Sequence, residues 1–158
     1  MRKKLLRYSL AASAITLLAS GIVLAADNWI GTWKLNAEKS KFSPGPGPKS
    51  LTLKFEQTPD GIKFSSEGMD AEGKPTHSEY VSKFDGKEVP YSGNPNADTA
   101  SPKRLNADTY DNQWKMNSKP TELSHAVVSK DGKTLTVHQT GKDAKGQAVN
   151  SAVVFDRQ

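Results

Sequence analysis

Short segments in which apolar and polar residues alternate constrain this chain more than any other feature. From Leu51 to Glu56 every second residue is apolar, which is typical of a β-strand buried on one face. Similar segments, some of them short, lie at 62–69, 76–84, 87–91, 103–107, 109–116, 122–129, 134–140 and 149–156. Asp-Gly turns follow three of them, at 60–61, 85–86 and 131–132. About ten short strands without a long helical pattern predict an all-β, antiparallel up-and-down meander.

An open meander of this kind would leave two strand edges unpaired. Closing the sheet on itself removes both edges, so we predict a barrel of about 8 to 10 strands. Residues 43–48, Ser-Pro-Gly-Pro-Gly-Pro, cannot pair in a sheet because three prolines lack a backbone donor, and we expect a linker or a rim loop there. Residues 92–102 show no alternation and are predicted as a loop, either functional or a plain connector.

The first 26 residues have the pattern of a secretory signal peptide. Four basic residues at positions 2–7 precede an apolar run over 10–24, and the small residues Ala25 and Ala26 follow it. The run is shorter than the roughly 20 residues that span a bilayer, so we expect cleavage and no stable membrane insertion afterwards. Residues 27–158 suit one domain. The sequence contains no cysteine, so we expect no lipid anchor on cysteine and no disulfide, and a periplasmic or secreted location.

The charge of the mature chain is close to neutral. Four of the 22 Lys and Arg residues precede Asp27 and none of the 17 acidic residues does, which leaves 18 basic residues against 17 acidic ones, a net charge of +1. The two signs are evenly mixed along the chain. This distribution gives no footprint for nucleic acid or for anionic lipid, and neither is expected as a partner.

The first predicted strand, residues 28–35, carries two tryptophans. Trp29 and Trp33 are four residues apart and therefore share one face of a strand, with Gly31 between them. Gly31-Thr32-Trp33, a Gly-x-Trp motif at the start of a secreted barrel, resembles the lipocalins and their calycin relatives, which include the fatty-acid-binding proteins. The stretch 31–42 with its Pro-Gly tail, and the segments 60–61, 93–95 and 130–133, are also similar to small secreted bacterial proteins of lipocalin-like type.

The resemblance implies structural roles for Gly31, Trp33 and Arg157. In lipocalins the tryptophan closes one end of the barrel and packs against an arginine of the last strand, so Arg157 is expected to stack on Trp33 rather than to hold a ligand. The intracellular fatty-acid carriers bind a carboxylate through an Arg-x-Tyr pair, whereas Phe155-Asp156-Arg157 stands in this position here. The pair of helices that covers those carriers is missing as well. The resemblance therefore implies neither a fatty-acid ligand nor a particular activity.

The last tight hairpin brings two histidines together. If Asp131-Gly132 forms a two-residue turn, Lys130 faces Lys133, and pairing outward sets Val128 against Leu135, Ala126 against Val137 and His125 against His138. The apolar pairs indicate the inner face, so both histidines are expected outside. Facing imidazoles are candidate metal ligands or a pH-sensitive pair. Since zinc generally needs three or four protein ligands and no carboxylate is evident in the same ladder, a plain surface pair is the expectation.

Aromatic residues on the predicted inner faces are the candidates for a ligand-binding wall. They are Trp29, Phe55, Phe64, Tyr80, Phe84, Trp114 and Phe155. Such side chains also fill small barrels on their own. The same faces carry Ser66, Ser78, Ser82, Asn112 and Ser151, which are poor core residues without partners and favour a cavity of mixed lining. The sequence leaves a hollow and a packed interior open.

Two functions follow from these two interiors. A hollow barrel predicts a secreted or periplasmic protein that binds a small hydrophobic or amphipathic ligand, with access near residues 43–48 or 92–102. A packed barrel predicts an envelope stress or protein-interaction module with exposed apolar residues. The nucleophile-elbow, zincin, Walker and dinucleotide-binding motifs are all missing from the sequence, so we expect neither catalysis nor a cofactor.

Overall fold

Ten β-strands form one antiparallel sheet in the computed structural model, which describes residues 27–158; the predicted signal peptide, 1–26, lies outside the described residues. The strands are β1 (Gly31–Leu35), β2 (Ser50–Thr58), β3 (Gly61–Met69), β4 (Pro75–Ser82), β5 (Val89–Pro90), β6 (Thr99–Arg104), β7 (Thr109–Met116), β8 (Lys119–Val128), β9 (Thr134–Lys142) and β10 (Ala148–Arg157). A single turn of 3₁₀ helix, Ala37–Lys39, follows β1. In this range no helix is long and apolar enough to cross a membrane.

The strand order is that of a meander whose first and last strands pair. It runs β4-β3-β2-β1-β10-β9-β8-β7-β6-β5. The sheet closes between its outer strands where the chain leaves β5, because Glu79 and Ser92 exchange two backbone hydrogen bonds of 3.0 and 3.1 Å. This nearly closed barrel confirms the predicted all-β, up-and-down, lipocalin-like architecture.

Strand β6 lies earlier than the sequence pattern predicted. The sequence predicts a strand over 103–107 and a loop over 92–102, but β6 covers Thr99–Arg104. Its inward residues Ala100 and Pro102 are buried, although a small residue and a proline give little apolar signal. The Pro102 carbonyl accepts from the Gly86 N–H at 2.9 Å, so the missing proline N–H falls on the side away from β7 and breaks no bond of that ladder.

The β8–β9 hairpin has the predicted register. Its paired residues include His125 with His138, Ala126 with Val137 and Val128 with Leu135. The turn is longer than predicted, because the last hydrogen-bonded pair is Ser129 with Thr134 and residues 130–133 form the loop. The Asp131 carboxylate organises this loop by accepting from the Ser129 hydroxyl at 2.6 Å and from the Lys133 N–H at 3.1 Å.

Gly31, Trp33 and Arg157 close one end of the barrel. Trp33 pairs with Arg157 across β1 and β10, and the guanidinium carbon lies 4.1 Å from the centre of the indole. The guanidinium also donates to the carbonyls of Ile30 at 3.0 Å, Gly132 at 2.6 Å and Asn28. A Cβ on Gly31 would lie 2.8 Å from Arg157 Nη1, so the glycine leaves room for this contact.

Above that closure the barrel is packed with aromatic rings. Trp29 is fully buried, with its ring centre 5.4 Å from that of Tyr110 and 6.0 Å from that of Phe84. Phe55 packs edge-on against both Tyr110 and Phe84. Tilted and edge-on packing of this kind is favourable for aromatic pairs, and it fills this end of the interior.

The opposite end is bordered by the predicted rim loop. Residues 43–48 are tied to β10, because the Ser43 N–H donates to the Ser151 hydroxyl at 3.0 Å and the Ser43 carbonyl accepts from the Asn150 N–H at 2.8 Å. The 3₁₀ turn just before it is capped by Asn36, whose side chain accepts from the Lys39 N–H at 3.1 Å. The proline-rich segment is therefore held in place at the end of the barrel away from Arg157.

Candidate functional site: a cavity in the barrel

A cavity of about 410 Å³ occupies the barrel above the packed aromatic end. This volume is within the range of about 300 to 1,000 Å³ that is usual for small-molecule sites. Both segments predicted as points of access contribute to its mouth, residues 44–48 from one side and residues 93–96 from the other. The cavity therefore runs from the mouth to the aromatic rings that fill the other end.

The apolar part of the wall comes mainly from β2 and β10. Leu51 and Leu53 lie on β2, and Val149, Val153 and Phe155 lie on β10. Phe42 and the prolines of the rim loop extend this surface to the mouth. These residues are inward because apolar positions repeat at every second residue of each strand. The surface suits the hydrocarbon part of a ligand.

The polar part of the wall begins at the seam between β4 and the chain after β5. The Ser78 hydroxyl lies 2.7 Å from the Ser66 hydroxyl and 3.1 Å from the Tyr91 hydroxyl. Tyr80 accepts a bond of 3.3 Å from the Asn112 amide nitrogen. Burial raises the pKa values of Tyr80 and Tyr91, so both phenols stay neutral hydrogen-bonding groups at physiological pH.

Glu122 is the one buried carboxylate on this wall among the described residues. It lies on β8, is 3 % exposed and faces the cavity on the same face as Ser124. Burial raises its pKa to about 7; the nearby Asp143 acts in the same direction, and a hydrogen bond from Asn96 opposes the rise. Glu122 therefore titrates near neutral pH.

Asn96 connects this carboxylate to the mouth. Its amide nitrogen donates to Glu122 Oε1 at 3.1 Å, and its amide oxygen accepts from the Ala144 N–H at 3.4 Å. Its own backbone N–H is held by the Asn94 side chain at 2.8 Å. The segment 93–96 and the β9–β10 turn thus meet over Glu122.

The seven aromatic residues predicted as a ligand wall divide into two groups. Phe64, Tyr80, Trp114 and Phe155 line the cavity, whereas Trp29, Phe55 and Phe84 lie beneath it in the packed end. Of the predicted inward polar residues, Ser66, Ser78 and Asn112 line the cavity. Ser82 instead caps the Phe84 N–H at 3.0 Å, and Ser151 binds the rim loop.

Sequence reasoning missed Glu122, Asn96 and Tyr91. Glu122 was placed at the start of a predicted strand, and its inward orientation could have been read from its spacing to Ala126 and Val128. Asn96 and Tyr91 belong to irregular chain around the predicted loop, where no periodic signal gives a direction.

The two facing histidines lie outside the barrel. His125 and His138 are exposed neighbours on β8 and β9, and Asp111 of β7 completes the row with its carboxylate 2.6 Å from His125 Nδ1. A carboxylate therefore is present in this ladder, where the sequence had indicated none. Within residues 27–158 no group of three or more His, Cys, Asp or Glu side chains is placed to hold a metal ion.

Comparison with known proteins adds a likeness of fold. No protein-family model matches the chain, and no match was found among the curated proteins. Among solved structures, the chain is similar to zebrafish ileal bile acid-binding protein complexed with cholic acid, with a TM-score of 0.46 and 11 % sequence identity. The similarity covers 83 % of this chain and 98 % of that chain.

Proposed function

We propose that this protein is a secreted or periplasmic binding protein that holds a small hydrophobic or amphipathic molecule inside its barrel without covalent chemistry. The observation that carries the proposal is the cavity of about 410 Å³, which is apolar toward β2 and β10 and polar toward β4, β7 and β8. A two-sided wall fits a ligand that has a hydrocarbon body and a polar group. The signal-peptide pattern of residues 1–26 supports the location.

The packed-barrel alternative lacks comparable support. It calls for a filled interior and a patch of exposed apolar side chains. Four large apolar residues of the described chain are exposed, Met69, Val81, Leu105 and Leu123, and none of them is paired with another across neighbouring strands. Single exposed residues of this kind are normal on a protein surface.

Native mass spectrometry of the protein purified from its own periplasm tests the proposal. We expect a bound small molecule that is lost on unfolding, and lower occupancy in Leu51→Trp, because the indole would project into the cavity from β2. Leu123→Trp is the matched control, since Leu123 is 42 % exposed on the outer face of β8, and it should retain the ligand.

Two results would contradict the proposal. A protein that shows only its own mass, and continues to do so after incubation with a total lipid extract, would rule out the carrier function. Equal occupancy in Leu51→Trp and Leu123→Trp would place the bound molecule outside the barrel.

A further inference from the structure

We propose that the cavity selects an amphipathic amine, whose ammonium group is received by the Glu122 carboxylate and whose hydrocarbon body lies against β2 and β10. This inference rests on the proposed binding function and names its ligand class. Four observations carry it: the hydrogen bonding of Glu122, the charge of the cavity wall, an unpartnered amide oxygen and the neighbouring aromatic rings.

Glu122 has an incomplete set of partners. Within residues 27–158, its carboxylate receives one hydrogen bond, from Asn96 to Oε1, and no basic side chain lies within ion-pair distance. A buried carboxylate normally has a cationic partner or several donors. Oε2 accepts no hydrogen bond from a described residue, and the carboxylate lines the cavity. A donor supplied from inside the cavity would complete the site.

The cavity wall has acidic groups and no compensating base. None of the described residues that line it is a lysine or an arginine, while Glu122 and Asp143 both contribute. His77 borders the mouth, but its imidazole nitrogens each lie 3.6 Å from a carboxylate outside the cavity, those of Glu67 and Glu79. A carboxylate ligand would therefore enter beside like charges, whereas an ammonium would meet an opposite one.

A second acceptor lies close to Glu122 on the same face. Asn112 is 3 % exposed and lines the cavity, and its amide oxygen has no hydrogen-bond partner among the described residues. Asn112 pairs with Ser124 across β7 and β8, and Ser124 is two residues from Glu122, so the two acceptors are diagonal neighbours. An ammonium carries three donors, which is enough for an acceptor at each of these two positions.

Aromatic rings surround the same region. Tyr91 and Trp114 both line the cavity, and their ring centres lie 5.9 Å apart at an angle of 64°. Tyr80 packs at 5.2 Å from Tyr91. Aromatic faces attract cations, so the electrostatics of the rings and of the carboxylate act in the same direction.

The test compares three probes that share one hydrocarbon chain: decylamine, decanol and decanoate. Their affinities for the mature protein are measured by titration calorimetry at pH 8, with Glu122→Gln and the control Glu72→Gln, an exposed residue of the β3–β4 turn. We expect decylamine to bind about 10- to 100-fold more tightly than the other two, because a buried charge-assisted hydrogen bond contributes an affinity difference of about this size. Glu122→Gln should lose this preference and keep its affinity for decanol, which also shows that it is folded, and Glu72→Gln should behave as the wild type.

A pH series on the wild type provides a second readout that needs no variant. The ionisable groups facing Glu122 are Asp143 in the β9–β10 turn and the Tyr91 phenol. At pH 5 the Glu122 carboxyl must lose a proton before it receives the ammonium, so decylamine should bind at least about tenfold more weakly than at pH 8. Decanol, which carries no charge, should bind equally at both.

The possible failures separate the two proposals. Decanol or decanoate binding as tightly as decylamine at pH 8, or an undiminished amine preference in Glu122→Gln, overturns the amine inference and leaves the binding function standing. Failure of all three probes to bind the wild type also overturns the amine inference, and the native mass spectrometry described above then decides the binding function.

Discussion

Replacement of Glu122 by glutamine measures how much the free energy of unfolding is reduced by an ionisable group at this position. Glutamine has nearly the same shape and keeps an oxygen that can accept from Asn96, but it carries no charge at any pH. The comparison needs no ligand. Unlike the binding tests, it therefore examines the empty barrel alone.

The size of the effect follows from the pKa of Glu122. A difference of one pH unit between the pKa values of the folded and unfolded chain corresponds to about 1.4 kcal/mol. The rise from 4.5 to about 7 thus sets an upper limit of about 3 kcal/mol. Solvent that reaches the carboxyl through the mouth reduces this figure, and we expect about 1 to 3 kcal/mol.

The direction follows from which state binds the proton more tightly. Because the folded-state pKa is raised, the folded protein holds a proton between pH 4.5 and about 7 that the unfolded chain releases. The free energy of unfolding of the wild type therefore contains a term that falls as the pH rises through this window. Glu122→Gln lacks the term, so it should match the wild type near pH 4 and exceed its stability by the full amount at pH 8.

Urea unfolding at five pH values between 4 and 8, followed by tryptophan fluorescence, measures the difference. Glu72→Gln is the control for the loss of one acidic group, because Glu72 is exposed in the β3–β4 turn and does not line the cavity. A constant difference between Glu122→Gln and the wild type, or one that grows toward low pH, would refute the reasoning. A constant difference would mean that the carboxyl is solvated in the empty barrel, and one that grows toward low pH would mean that the folded protein stabilises the carboxylate.

Two further predictions concern the two ends of the barrel. Arg157→Ala removes the stacking on Trp33 and three hydrogen bonds to carbonyls, and should lower the free energy of unfolding, measured with urea, by about 2 to 4 kcal/mol. Arg157→Lys should recover less than half of this loss. An alanine variant as stable as the wild type would contradict the closure role. Gly93→Ala should cost about 2 to 4 kcal/mol in the same assay, because a Cβ would lie 2.1 Å from the His77 carbonyl at a backbone φ of +77°. Gly146→Ala, at φ +82° with nothing within 4 Å, should cost only the backbone strain of about 1 to 2 kcal/mol, and equal losses at both glycines would rule out the clash.

The faces of the strands were predictable from the sequence because they depend on a local rule. Side chains alternate with a period of two, so Ala126 and Val137 on one face placed His125 and His138 on the other once the turn fixed the register. The extra loop residues at the turn left that register unchanged. The contact of Trp33 with Arg157 was expected from a family resemblance. A glycine is needed at position 31 because a Cβ there would lie too close to the Arg157 guanidinium.

The alternation does not predict whether an inward-facing residue lies in the packed end of the barrel or on the cavity wall. Phe55 and Phe64 face each other on adjacent strands and both point inward, yet one lies in the packed end and the other on the cavity wall. That division depends on how all ten strands are staggered, which no single strand encodes. Glu122 was missed for a different reason: a lone acid at the edge of a predicted strand is usually exposed, and only the position of Asn96 and the β9–β10 turn buries it.

Few backbone hydrogen bonds join β4 to the chain after β5. Nine residue pairs join β2 to β3, but the seam has one backbone bridge, between Glu79 and Ser92, supported by the contact of Tyr91 with Ser78. Separating Glu79 from Ser92 and Ser78 from Tyr91 would break none of the pairings between neighbouring strands of the sheet. We therefore expect a ligand that is too wide for the cavity to separate the wall at this seam before any other part of it.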